Sequence, residues 1–325
     1  MTTGAIYLTE ASSGAPALSG TNGALNAVLD WALVQKGWSI EYTAANARVY
    51  RPGSGNRNRL LVVHDSAVTG DAKLATIRGA ENASAASVED LVNPFPTVAQ
   101  QVNNASSVMI SNSASSAARP YRIVVSPTFL FFTSSTSSSN TGNWDFFFFG
   151  DLEGTEPGDA FATAIHVGAT STTASVSSRA GSSCASISMA AGKTYFARSI
   201  DGTVLSTTGT IGISASGTAS AASLMSFNPS RPNMRAGYGS RIEREKMAVR
   251  CLGSNTTAAS ATLQIYQRGW IPNVWAPLHS NIGTVTSDDV HTDTAYAVGS
   301  QFVLVPCSLT SACLLETTDT WSPPQ

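Results

Sequence analysis

The chain's closest pairing of an imidazole with a carboxylate is His64-Asp65, at the end of an apolar run. A strand-end histidine can reach a cleft and act as general acid or base when a carboxylate orients it. Neighbours on a strand point to opposite faces, so Asp65 is badly placed to orient His64, and a hydrogen-bonding role is the stronger expectation. A second group of carboxylates, Asp145, Asp151, Glu153, Glu156 and Asp159, surrounds a glycine-containing turn. Such a group suits calcium, or a glycosidase pair if two members face each other at a set separation. Its spacing departs from the EF-hand loop, and solvated acidic turns at strand ends are the commoner origin of such a pattern.

The remaining reactive types are scattered. His166, His279 and His291 stand far apart without HxH or HExxH spacing, so no metal site is expected. Cys184, Cys251, Cys307 and Cys313 form no CxxC pair, which leaves reduced and mostly buried thiols as the expectation. A bridge between Cys307 and Cys313 would need a turn to bring them together. No GxSxG elbow surrounds any of the many serines. The expectation is therefore a protein with no catalytic residues, no cofactor and no metal.

The elements that would position these residues are mostly strands. One amphipathic helix is predicted from about Gly23 to Lys36, where Leu25, Val28, Leu29, Ala32 and Leu33 make a single apolar stripe. Thr21 or Asn22 is the expected N-cap, and Gly37 the expected stop before Trp38. Strands are predicted at 48–50, 59–64, 74–77, 121–125, 128–133, 144–149, 161–167, 246–251, 262–267 and 301–305. The Ser/Thr stretch from Thr133 to Asn140 reads as a mobile loop, and Phe146 to Phe149 as a strand buried on both faces. Pro272 and Pro277 are expected to frame a tight segment around Trp275. The uncharged span from Gly202 to Ser230 reads as an exposed strap and an internal boundary.

Composition narrows the function classes. Of the 325 residues 42% are hydrophobic and only 12% charged, about half the charged share of an ordinary soluble protein. Ser, Thr, Ala and Asn must finish the surface, and such a neutral skin can lie against other subunits without burying unpaired charge. A formal charge of -2 argues against direct nucleic-acid binding. No stretch is long and apolar enough for a membrane span, and the opening residues lack the pattern of a signal peptide, so synthesis in the host cytoplasm is expected.

Several segments, in order, resemble a family of largely uncharacterised virion proteins of tailed bacteriophages and prophages. They are the helix ending in Gly37-Trp38, the run from Arg48 to Asn56 (RVYRPGSGN), and the run from Ala75 to Glu81 (ATIRGAE). Asn93 to Thr97 (NPFPT), Ala118 to Tyr121 (ARPY), Phe149-Gly150-Asp151 and Pro157 to Ala160 (PGDA) continue the pattern. Trp275 to His279 (WAPLH) and Glu316 to Trp321 (ETTDTW) close it, so the resemblance spans nearly the whole chain. It carries over no catalytic residue, and Thr163 to Ser226 departs from it in being unusually rich in Ser, Thr and Ala.

The expected fold is mainly β, an antiparallel β-sandwich or barrel-like architecture with an N-terminal amphipathic helix. The expected division is 1–160, helix plus β domain, and 161–325, a C-terminal β-rich domain, or one continuous domain. Trp38, Trp144, Trp270 and Trp275 are the candidate packing or interface anchors. The neutral stretches at 134–140 and 203–223 are candidate contact surfaces. The resemblance implies a non-enzymatic component of the virion, tail or baseplate associated, whose partners are other virion proteins and copies of itself. A capsid-surface decoration protein, a carbohydrate-binding host-attachment module and a particle-borne hydrolase are the other readings.

Overall fold

The computed structural model describes residues 4–69, 71–95, 107–138, 144–167, 194–198, 202, 204–205, 222–225, 244–252, 265–277, 290–292, 299–308 and 311–318. The described residues are mainly β, in three antiparallel sheets with helix α1 (Ala24–Val34) near the N-terminus. The first sheet has seven strands, β1 (Ile6–Thr9), β8 (Tyr121–Val125), β9 (Phe129–Ser135), β10 (Trp144–Asp151), β11 (Thr163–Val167), β12 (Thr194–Arg198) and β13 (Val204–Leu205), in that spatial order. The second runs β2 (Ser39–Ala44), β3 (Ala47–Arg51), β4 (Arg59–Val63), β5 (Leu74–Ala83), β6 (Leu91–Phe95), with β7 (Ser107–Met109) also on β5. A one-turn helix α2 (Ser66–Thr69) links β4 to β5. The third sheet orders β14 (Ala222–Met225), β15 (Arg244–Leu252), β16 (Ile265–Pro277), β19 (Ser311–Glu316), β18 (Gln301–Ser308) and β17 (Val290–Thr292).

The first two sheets make a sandwich because alternate residues on each share one apolar face. Tyr50, Leu60, Val62, Ala75 and Ile77 from the second sheet join Ile123, Val125, Leu130, Phe132, Phe147 and Phe149 from the first in one core. The stripe of α1 enters the same core, with Leu25, Val28, Leu29, Ala32 and Leu33 all buried. Gly37 adopts φ 75°, and the Trp38 N–H returns to the Leu33 carbonyl at 3.3 Å, closing the helix as its glycine predicts. The N-terminal cap differs from the expected Thr21 or Asn22. Gly23 occupies the cap position in the left-handed region with no side chain to offer, and the Leu25 N–H donates to His64 Nδ1 at 3.1 Å.

The four phenylalanines of β10 are buried on both faces, as their succession predicts. Phe147 stacks on Phe132 at 5.2 Å inside the sandwich, while Phe146 stacks on Phe131 at 5.9 Å on the opposite face. Strand β18 of the third sheet lies close to β10. Phe302, Val303, Leu304 and Val305 of β18 are themselves buried.

Two expectations are corrected. Thr133, Ser134, Ser135 and Thr136 are buried, not a mobile loop, because β9 runs on to Ser135 opposite Trp144. The Thr133 hydroxyl donates to the Asp145 carbonyl at 3.1 Å, and the Ser135 N–H to the Pro120 carbonyl at 2.9 Å. Residues 139–143 lie outside the described residues. Pro272 and Pro277 do not frame a tight segment; both belong to the 13-residue strand β16. Pro272 is tolerated there because the ladder to β15 shifts between Lys246↔Trp275 and Ala248↔Trp270, an irregularity in which Asn273 takes φ 58°.

The division at 160/161 falls inside the first sheet, since β10 and β11 pair across it from Asp151↔Thr163 to Phe147↔Val167. The span from Gly202 to Ser230 contains β13, the last strand of the first sheet, and β14, the first of the third. Its other residues, and the side chains of Cys307 and Cys313, lie outside what the structure describes.

Gly150 of β10 has φ 150°, and a Cβ there would collide with Phe129 of β9. Gly150→Ala is expected to lower the unfolding free energy by about 1–3 kcal/mol through overpacking, read as a reduced urea midpoint with the fold retained.

Candidate functional site

His64 directly follows β4 and has no exposed surface. Its Nδ1 accepts from the Leu25 N–H, and its Nε2 lies 2.8 Å from the Ala72 carbonyl. Burial is the largest influence on the ring and holds it below the usual histidine range, against the opposing pull of the Ala72 bond and of Asp65. Asp65 turns elsewhere: its carboxylate accepts from Asn46 Nδ2 at 3.0 Å and from the Ala67 N–H at 2.9 Å. Those bonds hold it below the ordinary carboxylate range. The dipeptide is thus two separate structural residues, each with its own partners.

The acidic group is likewise divided among different tasks. Asp145 is 1% exposed and accepts from the Met109 N–H at 2.7 Å, tying β10 to β7. Asp151 accepts from the Asn56 N–H at 2.8 Å and from the Thr163 hydroxyl at 2.5 Å, and Asn58 Nδ2 donates to that same hydroxyl. Burial raises the Asp151 carboxyl above its usual range despite these bonds. Glu153 joins through its main chain, exchanging two 2.9 Å bonds with Trp270 of β16. Glu156 is exposed beside Pro157. Among the described residues no three His, Cys, Asp or Glu side chains gather in a metal-holding group.

Asp159 forms the centre of a charged junction. Its side chain is 1% exposed and takes Arg268 Nη1 and Nη2 in a two-pronged ion pair, with the Phe161 N–H donating at 2.9 Å. Burial opposes its ionisation, but the hydrogen bonds and charges of Arg268, with Arg198 nearby, outweigh it and hold the carboxyl below its usual range. Arg268 Nε also donates to the Arg198 carbonyl at 2.6 Å. Arg198 in turn bonds Glu81 of β5 at 2.6 Å and lies over the rings of Phe95 and Phe161 at 4.3 and 5.1 Å. Among the described residues its Nε and Nη2 have no hydrogen-bond partner, and burial lowers its affinity for the proton. The Asn56 side chain completes the cluster by donating to the Asp159 carbonyl at 3.2 Å. Strands of all three sheets meet here: β5 and β6, β12, and β16.

Sequence reasoning found Asp151 and Asp159 but not their partners. Arg268 is the residue missed. Its signal was a lone cation amid Gln267, Gly269 and Trp270 in a chain that is only 12% charged, where a buried charge needs a counterpart.

Three of the four candidate tryptophans are buried. Trp38 is buried, donates to the Ser126 carbonyl at 2.7 Å and meets Phe149 edge-on at 6.2 Å. Trp144 is buried with the Arg122 guanidinium 5.6 Å above its ring. Trp275 is buried, bonded to Glu316 at 3.1 Å and edge-on to Phe302 at 6.0 Å. Trp270 is partly exposed, and its ring sits where a Cβ on Gly154 would be. All four thus pack within the chain itself.

No protein-family model matches the chain, and no curated protein is detectably similar to it.

Asp159→Asn is expected to cost about 3–5 kcal/mol of stability, because it leaves the buried Arg268 charge without its counterion. The pH dependence has a definite sign. A carboxyl held below its reference value of 3.8 contributes stability that is present above that value and lost as pH falls through its lower folded value. Urea unfolding of both proteins from neutral pH downward measures the cost and its decline in acid.

Proposed function

We propose that the chain is an assembly protein, a non-enzymatic component that works through contacts between subunits. Three of its acidic candidates, Asp145, Asp151 and Asp159, are held by fixed donors of the chain itself, and that observation carries the reading. Carboxylates bound in this way join β10 to β7, the β3–β4 loop to β11, and the β10–β11 turn to β16. Such use fits a molecule whose task is to hold a shape. The low charge of 12% supports the same reading, since a neutral Ser- and Thr-rich surface can be covered by a neighbour at little desolvation cost.

Within that class the chain is proposed as a structural component of a tailed-bacteriophage particle, associated with the tail or baseplate. The ordered segments from Arg48-Val49-Tyr50 to Thr320-Trp321 that resemble such virion proteins support this placement. Its partners are then other virion proteins and further copies of itself, and its location is the assembled particle.

The test is to find the protein in purified particles and locate it by antibody labelling under the electron microscope. Label concentrated at the tail or its tip is the expected result. Label over the head surface would replace tail association with decoration, and particles free of the protein would defeat the reading. In parallel, Asp151→Ala is expected to lower stability by about 1–3 kcal/mol by stranding the Asn56 and Thr163 donors. Loss of a measurable hydrolytic turnover on that substitution, with folding intact, would favour a particle-borne hydrolase instead.

A further inference from the structure

One imidazole holds the start of helix α1. The His64 ring has no exposed surface, accepts from the Leu25 N–H at 3.1 Å through Nδ1, and contacts the Ala72 carbonyl at 2.8 Å through Nε2. An N–H donor facing Nδ1 and a carbonyl acceptor facing Nε2 fix the neutral ring with its proton on Nε2. The main chain of the same residue adds two bonds: its carbonyl accepts from the Gly23 N–H at 2.8 Å, and its N–H donates to Asn46 at 2.9 Å. His64 therefore gathers the helix start, the β2–β3 turn and the segment leading into β5.

We infer that His64 is a proton-operated latch on helix α1, closed while its ring is neutral and opened by its protonation. A second proton can go only to Nδ1, and there it faces the Leu25 N–H, so two donors oppose each other where a hydrogen bond stood. The new positive charge also sits against the positive end of the helix. The ring escapes both conflicts only by leaving its site, which breaks the Leu25 and Ala72 bonds together and frees the first turn of α1. Gly23 at the cap position has no side chain to replace it.

The charged groups around the ring do not cancel this effect. Asp65, next in sequence, favours the protonated ring, but its carboxylate is occupied by Asn46 and the Ala67 N–H. In the segment before β5, Asp71 is paired with Lys73 at 2.9 Å. The first turn of α1 carries no acidic residue, and Asn22 beside it is neutral. Burial therefore prevails and keeps the folded ring below 6.5. The latch contributes its stability above that value and loses it as pH falls through the lower folded value. Because the stripe of α1 is part of the sandwich core, opening the latch loosens that core from one end.

The inference stands apart from the proposed place in a particle and is tested on the isolated full chain. Nitrogen NMR of the His64 ring, assigned through bonds to its own backbone, is followed between about pH 8 and pH 5. The expected spectrum has the proton on Nε2 at the upper limit and a midpoint below 6.5. Thermal melts of the wild type and His64→Asn, whose amide oxygen can still accept from Leu25 but does not titrate, form the second arm. The wild type is expected to lose about 3 °C more than the variant over that range. A proton on Nδ1, a midpoint at or above 6.5, or equal losses in the two proteins would overturn the latch. Should His64→Asn fail to fold, the ring spectrum of the wild type decides the matter alone.

Discussion

Phe147 and Phe149 point from β10 into the sandwich, and Phe146 and Phe148 point from the same strand to its other side; each is 2% exposed or less. Fully burying a phenylalanine contributes roughly 1.5–3 kcal/mol, so this one strand holds a large share of the favourable energy on both sides of the first sheet. A strand apolar on both faces must lie in the middle of layers. The second sheet and α1 supply one cover, and β18 of the third sheet lies close to the same strand. The architecture follows from that requirement. Gly150, closing the strand, is the point where the backbones of β9 and β10 approach too closely for any side chain.

Stacking three layers brings polar loops into places that water reaches poorly. The junction of Asp159, Arg268, Arg198 and Glu81 is the consequence, and its arrangement shows how the cost is limited. Asp159 answers Arg268 with both oxygens, and Arg198 rests between aromatic faces that partly replace hydration of its charge. Among the described residues two nitrogens of Arg198, Nε and Nη2, remain without partners, a residual penalty that apolar packing must offset. Buried ion pairs of this kind contribute little net stability, yet they reject alternative ways of docking one sheet on another, because a displaced sheet would bury the same charges unpaired. The proposed role in assembly draws on that property: a subunit that holds one shape presents one set of surfaces.

The sequence was legible wherever a local pattern decided the outcome. The apolar stripe of α1 and the glycine stop at Gly37 both depend on neighbours within a few residues. The run of phenylalanines announced its double burial for the same reason. What could not be read were pairings between distant segments. His64 caps a helix 39 residues upstream, and Asp159 meets Arg268 109 residues downstream. The Ser/Thr run from Thr133 misled because its polarity suggested solvent, whereas each buried hydroxyl or amide there is judged by what lies across the strand. Pro272 misled in the opposite way, since a proline inside a long strand is tolerated only at an irregularity that sequence does not mark.

The central claim is that double-sided burial of β10 makes the sandwich and the third sheet one cooperative body. Native-state hydrogen exchange across the chain tests it most directly, by comparing amides in β9 and β10 with those in β16 and β18. The account predicts that the slowest amides of both sets exchange through the same global opening, with free energies that fall together as denaturant is added. Amides of β16 and β18 that open well before β10, with β10 unaffected, would contradict it.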